Sequence, residues 1–176
     1  RAIAGVCREY PQARLVRVGG PFTPAQERLI GELGLANRIS VLPSLDDRTL
    51  AAVYRRSALV LLPSEREGFG LPVVEAMACG TPVVASDIPV LREVGGGVAE
   101  HCPVGDVDAW VRTSDRLLRE RATNGTAAGE RRDRAVRWAS HFTWERFAAT
   151  LAGIYVDLAG TGASAVPAPE SAACPA

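Results

Sequence analysis

The sequence contains no lysine; all 20 of its basic residues are arginine. A Gly-Lys-Ser/Thr phosphate loop is therefore impossible. Twenty acidic residues balance the arginines, leaving a formal net charge of +0. Without a basic surplus, nucleic acid is not an expected partner. No apolar run reaches the length of a membrane span, and the start has no signal-peptide pattern. Cys7, Cys79, Cys102 and Cys174 never stand two residues apart, and His101 and His141 are not grouped with them. That spacing speaks against a structural zinc site and for reduced thiols in the cytoplasm. No internal repeat is present. The first residue is Arg1 rather than Met, as expected of a processed or truncated chain.

What is present suits a folded domain with a real core. With 176 residues, 47% of them hydrophobic, one domain burying roughly 70% of the unfolded surface is expected. Short β-rich runs alternate with helical stretches. Ala13–Val18 reads as a strand turning at Gly19-Gly20-Pro21, and Thr23 or Pro24 opens a helix that stops near Gly34. Arg38–Leu42 is a second strand, followed by a helix that Asp46 caps. The run Ala58–Leu62 is apolar throughout and fits a strand covered on both faces. A helix over Pro72–Cys79 and a buried strand over Thr81–Ser86 come next. Four strands separated by helices predict βαβ units, a doubly wound, mostly parallel α/β sheet.

Further along, Pro89–Val94 predicts a short helix, Val98–Cys102 an edge strand, and Val107–Arg121 an amphipathic helix. Ala122–Gly129 reads as a polar loop, with helices over Glu130–Ala139 and Thr143–Leu158. From Ala159 the composition turns to Ala, Gly, Ser, Thr and Pro, a tail expected to be disordered.

Chemistry concentrates in Glu67-Gly68-Phe69-Gly70-Leu71-Pro72-Val73-Val74-Glu75. Two carboxylates flank a Gly-rich turn and the start of a helix. Gly68 and Gly70 lack Cβ atoms, so a ligand can approach the backbone closely. Pro72 suits the first turn of a helix, whose dipole and unpaired N–H groups favour phosphate. The spacing is not a dinucleotide fingerprint, because Val73 stands where the third glycine belongs. Taken alone, Glu75 could complement the helix dipole and Glu67 could be a solvated loop charge. Backbone donors flanked by carboxylates also fit a diphosphate ligand with hydroxyl groups.

The longer block Pro63-Ser64-Glu65-Arg66-Glu67 through Val84-Ala85-Ser86-Asp87 resembles the signature of retaining GT-B glycosyltransferases, more narrowly of family 4, with its two glutamates separated by seven residues. Leu91-Arg92-Glu93-Val94, Pro103-Val104-Gly105-Asp106 and Phe142-Thr143-Trp144-Glu145-Arg146 fit the same pattern, so the resemblance covers nearly all of residues 1–158. It implies a nucleotide-diphosphate sugar as donor, retention of anomeric configuration and no required metal or cofactor. Glu67 would be the catalytic-site residue that holds donor-sugar hydroxyls beside the anomeric carbon. The backbone of Gly68, Phe69, Gly70 and Leu71 would contact sugar and diphosphate, and Glu75 the ribose. Gly19 marks the first strand turn, and the base would lie against Leu45 and Asp47.

The departures from the family pattern are equally specific. Its phosphate-binding cations belong to a strand and loop that would precede Arg1, and Ala2-Ile3, Val6 and Tyr10 resemble the buried face of the following helix. Residues 1–158 therefore read as a donor lobe without its first strand, and the acceptor lobe as an absent partner. A non-catalytic nucleotide-binding module and a half-enzyme pairing with a separate acceptor lobe are the alternatives. Asn124-Gly125-Thr126 matches a glycosylation acceptor but reads as a turn, and His101 and His141 as structural or exposed. Arg131, Arg132, Arg134 and Arg137 form a solvated helix face or a patch for a membrane-peripheral acceptor.

Overall fold

A computed structural model of the chain describes residues 1–123 and 125–160. Asn124 and the tail beyond Gly160 lie outside the described residues. The chain divides into two units, Arg1–Ala139 and a second beginning at Ser140.

The first unit opens with α1 (Ala2–Glu9), whose Gly5 and Val6 are buried. Gly5 lies against α6 (Val107–Ala122), where a Cβ would come 2.4 Å from a Val111 methyl. Tyr10 donates its hydroxyl to the Asp115 carboxylate of the same helix at 2.8 Å. β1 (Leu15–Val18) leads to α2 (Pro24–Glu32), opened by a reciprocal cap in which Thr23 accepts from the Gln26 amide and Gln26 from that of Thr23. β2 (Ile39–Leu42) pairs parallel with β1, Leu15 opposite Ile39. Asp46 caps α3 (Asp47–Arg56) as expected, accepting from the Thr49 amide at 2.9 Å.

β3 (Val60–Leu62), β4 (Val83–Ser86) and β5 (Glu100–Cys102) form a second parallel sheet in that order. α4 (Leu71–Ala78) connects β3 to β4, and α5 (Pro89–Gly95) connects β4 to β5. Every strand pairing is parallel, as the alternating pattern requires, but the five strands form two hydrogen-bonded sheets rather than one. β4 is buried at every residue, because it has a neighbour on both sides. β3 departs from expectation: it is only half-buried, since β4 is its one hydrogen-bonded neighbour among the described residues.

The core gathers Val84, Cys102, Trp110 and Leu117, with Leu59 and Leu61 packed against them. Trp110 satisfies its indole N–H on the Pro103 carbonyl at 3.1 Å. α7 (Thr126–Ala139) begins one turn earlier than expected, within the stretch read as a polar loop. Ala127 and Ala128 are strong helix formers, and the Ala128 amide reaches the Gly125 carbonyl. Trp138 docks α7 by donating to the Val94 carbonyl at 2.7 Å. Gly96 makes room for that ring: a Cβ there would lie 2.0 Å from it.

The second unit contains α8 (Trp144–Ala159), capped by Thr143, with Trp144 and Phe147 in an edge-to-face pair at 6.1 Å. No helix among the described residues is long and apolar enough to cross a membrane.

Candidate functional site

The loop from Pro63 to Gly70 leaves the carboxyl end of β3 and enters α4. Crevices at the carboxyl ends of parallel strands are where open α/β sheets bind ligands. Gly70 forms the junction with φ 93°, a left-handed conformation that side chains rarely adopt. A Cβ there would also stand 2.5 Å from Leu91, which is fully buried. Both constraints demand glycine. Gly68 is different: nothing lies within 4 Å of where its Cβ would be, so that space is open to a ligand.

Pro72 is the second residue of α4 rather than the first, still within the turn where its missing N–H costs nothing. The amides of Gly68, Gly70 and Leu71 have no acceptor among the described residues. They sit at the positive end of the α4 dipole. Phe69 and Leu71 are exposed beside them, at 44% and 54%.

Glu67 is half-buried in this loop and has no hydrogen-bond or ion-pair partner among the described residues. Glu75 is held: Tyr54 of α3 donates its hydroxyl to Glu75 Oε2 at 2.9 Å. Burial, and then the hydrogen bond to the Glu75 carboxylate, push the Tyr54 hydroxyl far above the ordinary tyrosine range. Tyr54 therefore remains a donor across the neutral range. The sequence alone assigns Tyr54 no role; the available signal was that a buried tyrosine oxygen needs a partner.

Gly19 ends β1 with φ 109° and donates its amide to Leu42 at the end of β2. Leu45 is half-buried and Asp47 exposed, and Asp47 is the first residue of α3. The hydrogen bonds from Thr49 hold the neighbouring Asp46 below the usual carboxylate range. Asp46 thus serves the helix, and no group of three potential metal ligands occurs among the described residues. Asp87, at the end of β4, is lowered by its hydrogen bonds from Arg92, one of them 2.7 Å long. His101 has a structural contact, its Nε2 lying 3.0 Å from the Leu91 carbonyl.

A family model described as "Glycosyl transferases group 1" matches residues 1–137. The chain belongs to that family. It is 38% identical over 164 residues to a D-inositol 3-phosphate glycosyltransferase of Mycobacterium marinum, covering 88% of this chain and 34% of that protein. The Salinispora tropica protein of the same name is 37% identical, over 80% of this chain and 30% of its own length. The chain thus spans about a third of the length of these curated relatives. Sucrose-phosphate synthase from Thermosynechococcus elongatus superposes with a TM-score of 0.73 at 29% identity, over 90% of this chain and 42% of that one. A glycosyltransferase from Rickettsia africae ESF-5 gives 0.76 at 18% identity, over 90% and 44%; at that identity the likeness is one of fold. The fold is α/β and Rossmann-like, shared with GT-B glycosyltransferases.

Proposed function

We propose that residues 1–158 form the donor-binding lobe of a retaining glycosyltransferase of family 4 type, with a nucleotide-diphosphate sugar as ligand. The observation that carries this reading is the junction at Gly70. Its left-handed backbone opens α4 and leaves three amides, those of Gly68, Gly70 and Leu71, without an acceptor among the described residues, between Glu67 and Glu75 in the chain. In this reading the amides and the helix end hold the diphosphate and take up negative charge as the bond to the anomeric carbon breaks. Glu67 accepts hydrogen bonds from sugar hydroxyls near that carbon. Glu75, fixed by Tyr54, accepts from the ribose. Gly19, Leu45 and Asp47 line the side toward the base.

The acceptor belongs to the remainder of the transferase. An inositol phosphate, from the names of the mycobacterial relatives, is the first to try. In this reading the amides at the start of α4, with cations from the rest of the transferase, meet the leaving-group charge without a required metal, and a membrane-peripheral acceptor is compatible with it. A thermal-shift series on the full-length protein with GDP-mannose, UDP-glucose and UDP-N-acetylglucosamine tests the proposal. A ligand at 100 times its Kd stabilises by about 2.7 kcal/mol. One donor should raise Tm, more than its base-matched nucleoside monophosphate does. No rise with any sugar nucleotide would overturn the reading.

A further inference from the structure

At the opposite end of α4 from Gly70 lies a cavity of about 430 Å³, within the size range of small-molecule sites. It sits by the entry to β4, at Thr81 and Pro82, whereas the Glu67–Glu75 loop lies at the exit from β3. Four arginines line it: Arg55, Arg121, Arg131 and Arg132. Its one carboxylate, Glu120, is already bound in a two-pronged pair by Arg131, at 2.9 and 3.0 Å. Arg55, Arg121 and Arg132 have no ion pair among the described residues; Arg121 donates only to the Ser57 carbonyl, at 3.1 Å. Arg132 is seated by Gly80, where a Cβ would come 2.8 Å from its Cγ and Nε.

Arginines in last helical turns often do no more than offset the helix dipole, and Arg55 and Arg121 occupy such turns. Charge balance argues for more than that. The ends of α3, α4 and α6 each bring roughly half a negative charge, and the start of α7 roughly half a positive one. Three uncompensated guanidiniums therefore leave about two positive charges around the cavity. In a chain with net charge +0, that is a local surplus on three exposed arginines with no carboxylate paired to them among the described residues. A phosphomonoester carries about −1.5 to −2 at pH 7 and matches planar guanidinium donors.

We propose that the cavity bounded by Arg55, Arg121 and Arg132 is a second ligand site, for a phosphomonoester, separate from the Glu67–Glu75 site. Cys79 lines it and reports occupancy locally, while Cys7, on α1, serves as the internal control. The full-length protein is titrated with glycerol 3-phosphate by calorimetry at fixed ionic strength, and iodoacetamide labelling of both cysteines is followed by peptide mass spectrometry. One equivalent should bind, labelling of Cys79 should slow and that of Cys7 should not. Arg55→Gln combined with Arg132→Gln should weaken binding at least tenfold, Arg132→Gln alone severalfold, and Glu75→Gln not at all. Phosphatidylcholine vesicles with and without phosphatidic acid separate the two sources of the group. Slowed Cys79 labelling only by acidic vesicles and glycerol 3-phosphate together assigns a lipid headgroup; by glycerol 3-phosphate alone, a soluble ligand. Absence of binding, binding unchanged in the arginine variants, or loss of binding with Glu75→Gln would each overturn the proposal.

Discussion

The Tyr54 hydroxyl donates to Glu75 Oε2 at 2.9 Å, tying α3 to the helix that opens the candidate site. The bond fixes one oxygen of the carboxylate and leaves the other for a ligand. A hydrogen bond to a charged group contributes roughly 1.5–3 kcal/mol net. Glu75→Gln should therefore weaken binding of the nucleoside diphosphate by roughly 10- to 150-fold. Glu67→Gln should spare the nucleoside diphosphate and reduce only the additional affinity due to the sugar. Calorimetry with both ligands on both variants checks the division of roles, and equal losses of diphosphate affinity would sink it. Tyr54→Phe should cost roughly 1.5–3 kcal/mol of stability and loosen Glu75 without removing its charge.

The two glycines of the turn should behave oppositely. Gly70→Ala places a side chain at φ 93° and drives it into Leu91. Overpacking costs about 1–3 kcal/mol and a left-handed residue about 1 more. Urea denaturation should show a loss of roughly 2–4 kcal/mol. Gly68→Ala meets nothing within 4 Å and should leave stability within about 0.5 kcal/mol. Its effect should be on ligand affinity, where the new methyl occupies the backbone's approach surface. A stability loss at Gly68 matching that at Gly70 would contradict this account.

Local rules made much of this region legible. Asp46 and Thr23 precede helices with an acceptor in reach of the first amides, and Gly70-Leu71-Pro72 combines a left-handed junction with a residue tolerated only in a first turn. These signals need only neighbouring residues. The division of the strands into two sheets depends on pairing between distant segments, which hydrophobic runs do not encode. Tyr54 and Glu75 stand 21 residues apart, and Arg55 and Arg132 line one cavity from distant helices. No periodicity links such pairs. The start of α7 was hidden because Thr126–Gly129 reads as loop by polarity, although its alanines favour helix.

Acid should loosen the α6–α7 packing. Arg131 bonds both Glu120 and Glu100, and Arg116 reaches Glu100 at 2.8 Å. The hydrogen bonds from Arg131 hold Glu120 below the usual carboxylate range. The unfolded chain therefore takes up a proton before the folded one does as pH falls. Stability from this contact is complete above the ordinary glutamate value, near 4.3, and is lost as pH falls through the lower folded value. Glu120→Gln should cost roughly 1–3 kcal/mol at pH 7, between an exposed and a buried pair. It should also flatten the fall in Tm below about pH 4.5. An unchanged acid limb would mean that other carboxylates control it.

Chelation provides a separate check on the proposed chemistry. Asp46 and Asp47 are adjacent, but Asp46 is committed to Thr49 and Asp47 begins α3. A diphosphate-bound Mg²⁺ or Mn²⁺ needs carboxylates directed at it. Transfer by the full-length protein should survive EDTA. Activity abolished by the chelator and restored by Mn²⁺ would count against leaving-group stabilisation without a metal.

Residues 1–176 alone should bind a sugar nucleotide weakly and transfer nothing. Transfer needs the acceptor oxygen held against the anomeric carbon, and this chain spans 34% of the length of its Mycobacterium marinum relative. Positioning of two reactants in a closed cleft can supply roughly 7–11 kcal/mol of a barrier. An open surface beside Gly68 and Gly70 supplies little of it. Leaving-group charge would rest mainly on the start of α4, an eight-residue helix. β1, β2, β3 and β5 each have a single hydrogen-bonded neighbour among the described residues, which leaves strand edges without a partner there. Such edges pair with other chains, so the isolated chain should self-associate. Light scattering, together with radiolabelled donors and inositol phosphate acceptors, tests both expectations. Stoichiometric product from a monodisperse monomer would refute them and establish that this chain carries both halves of the reaction.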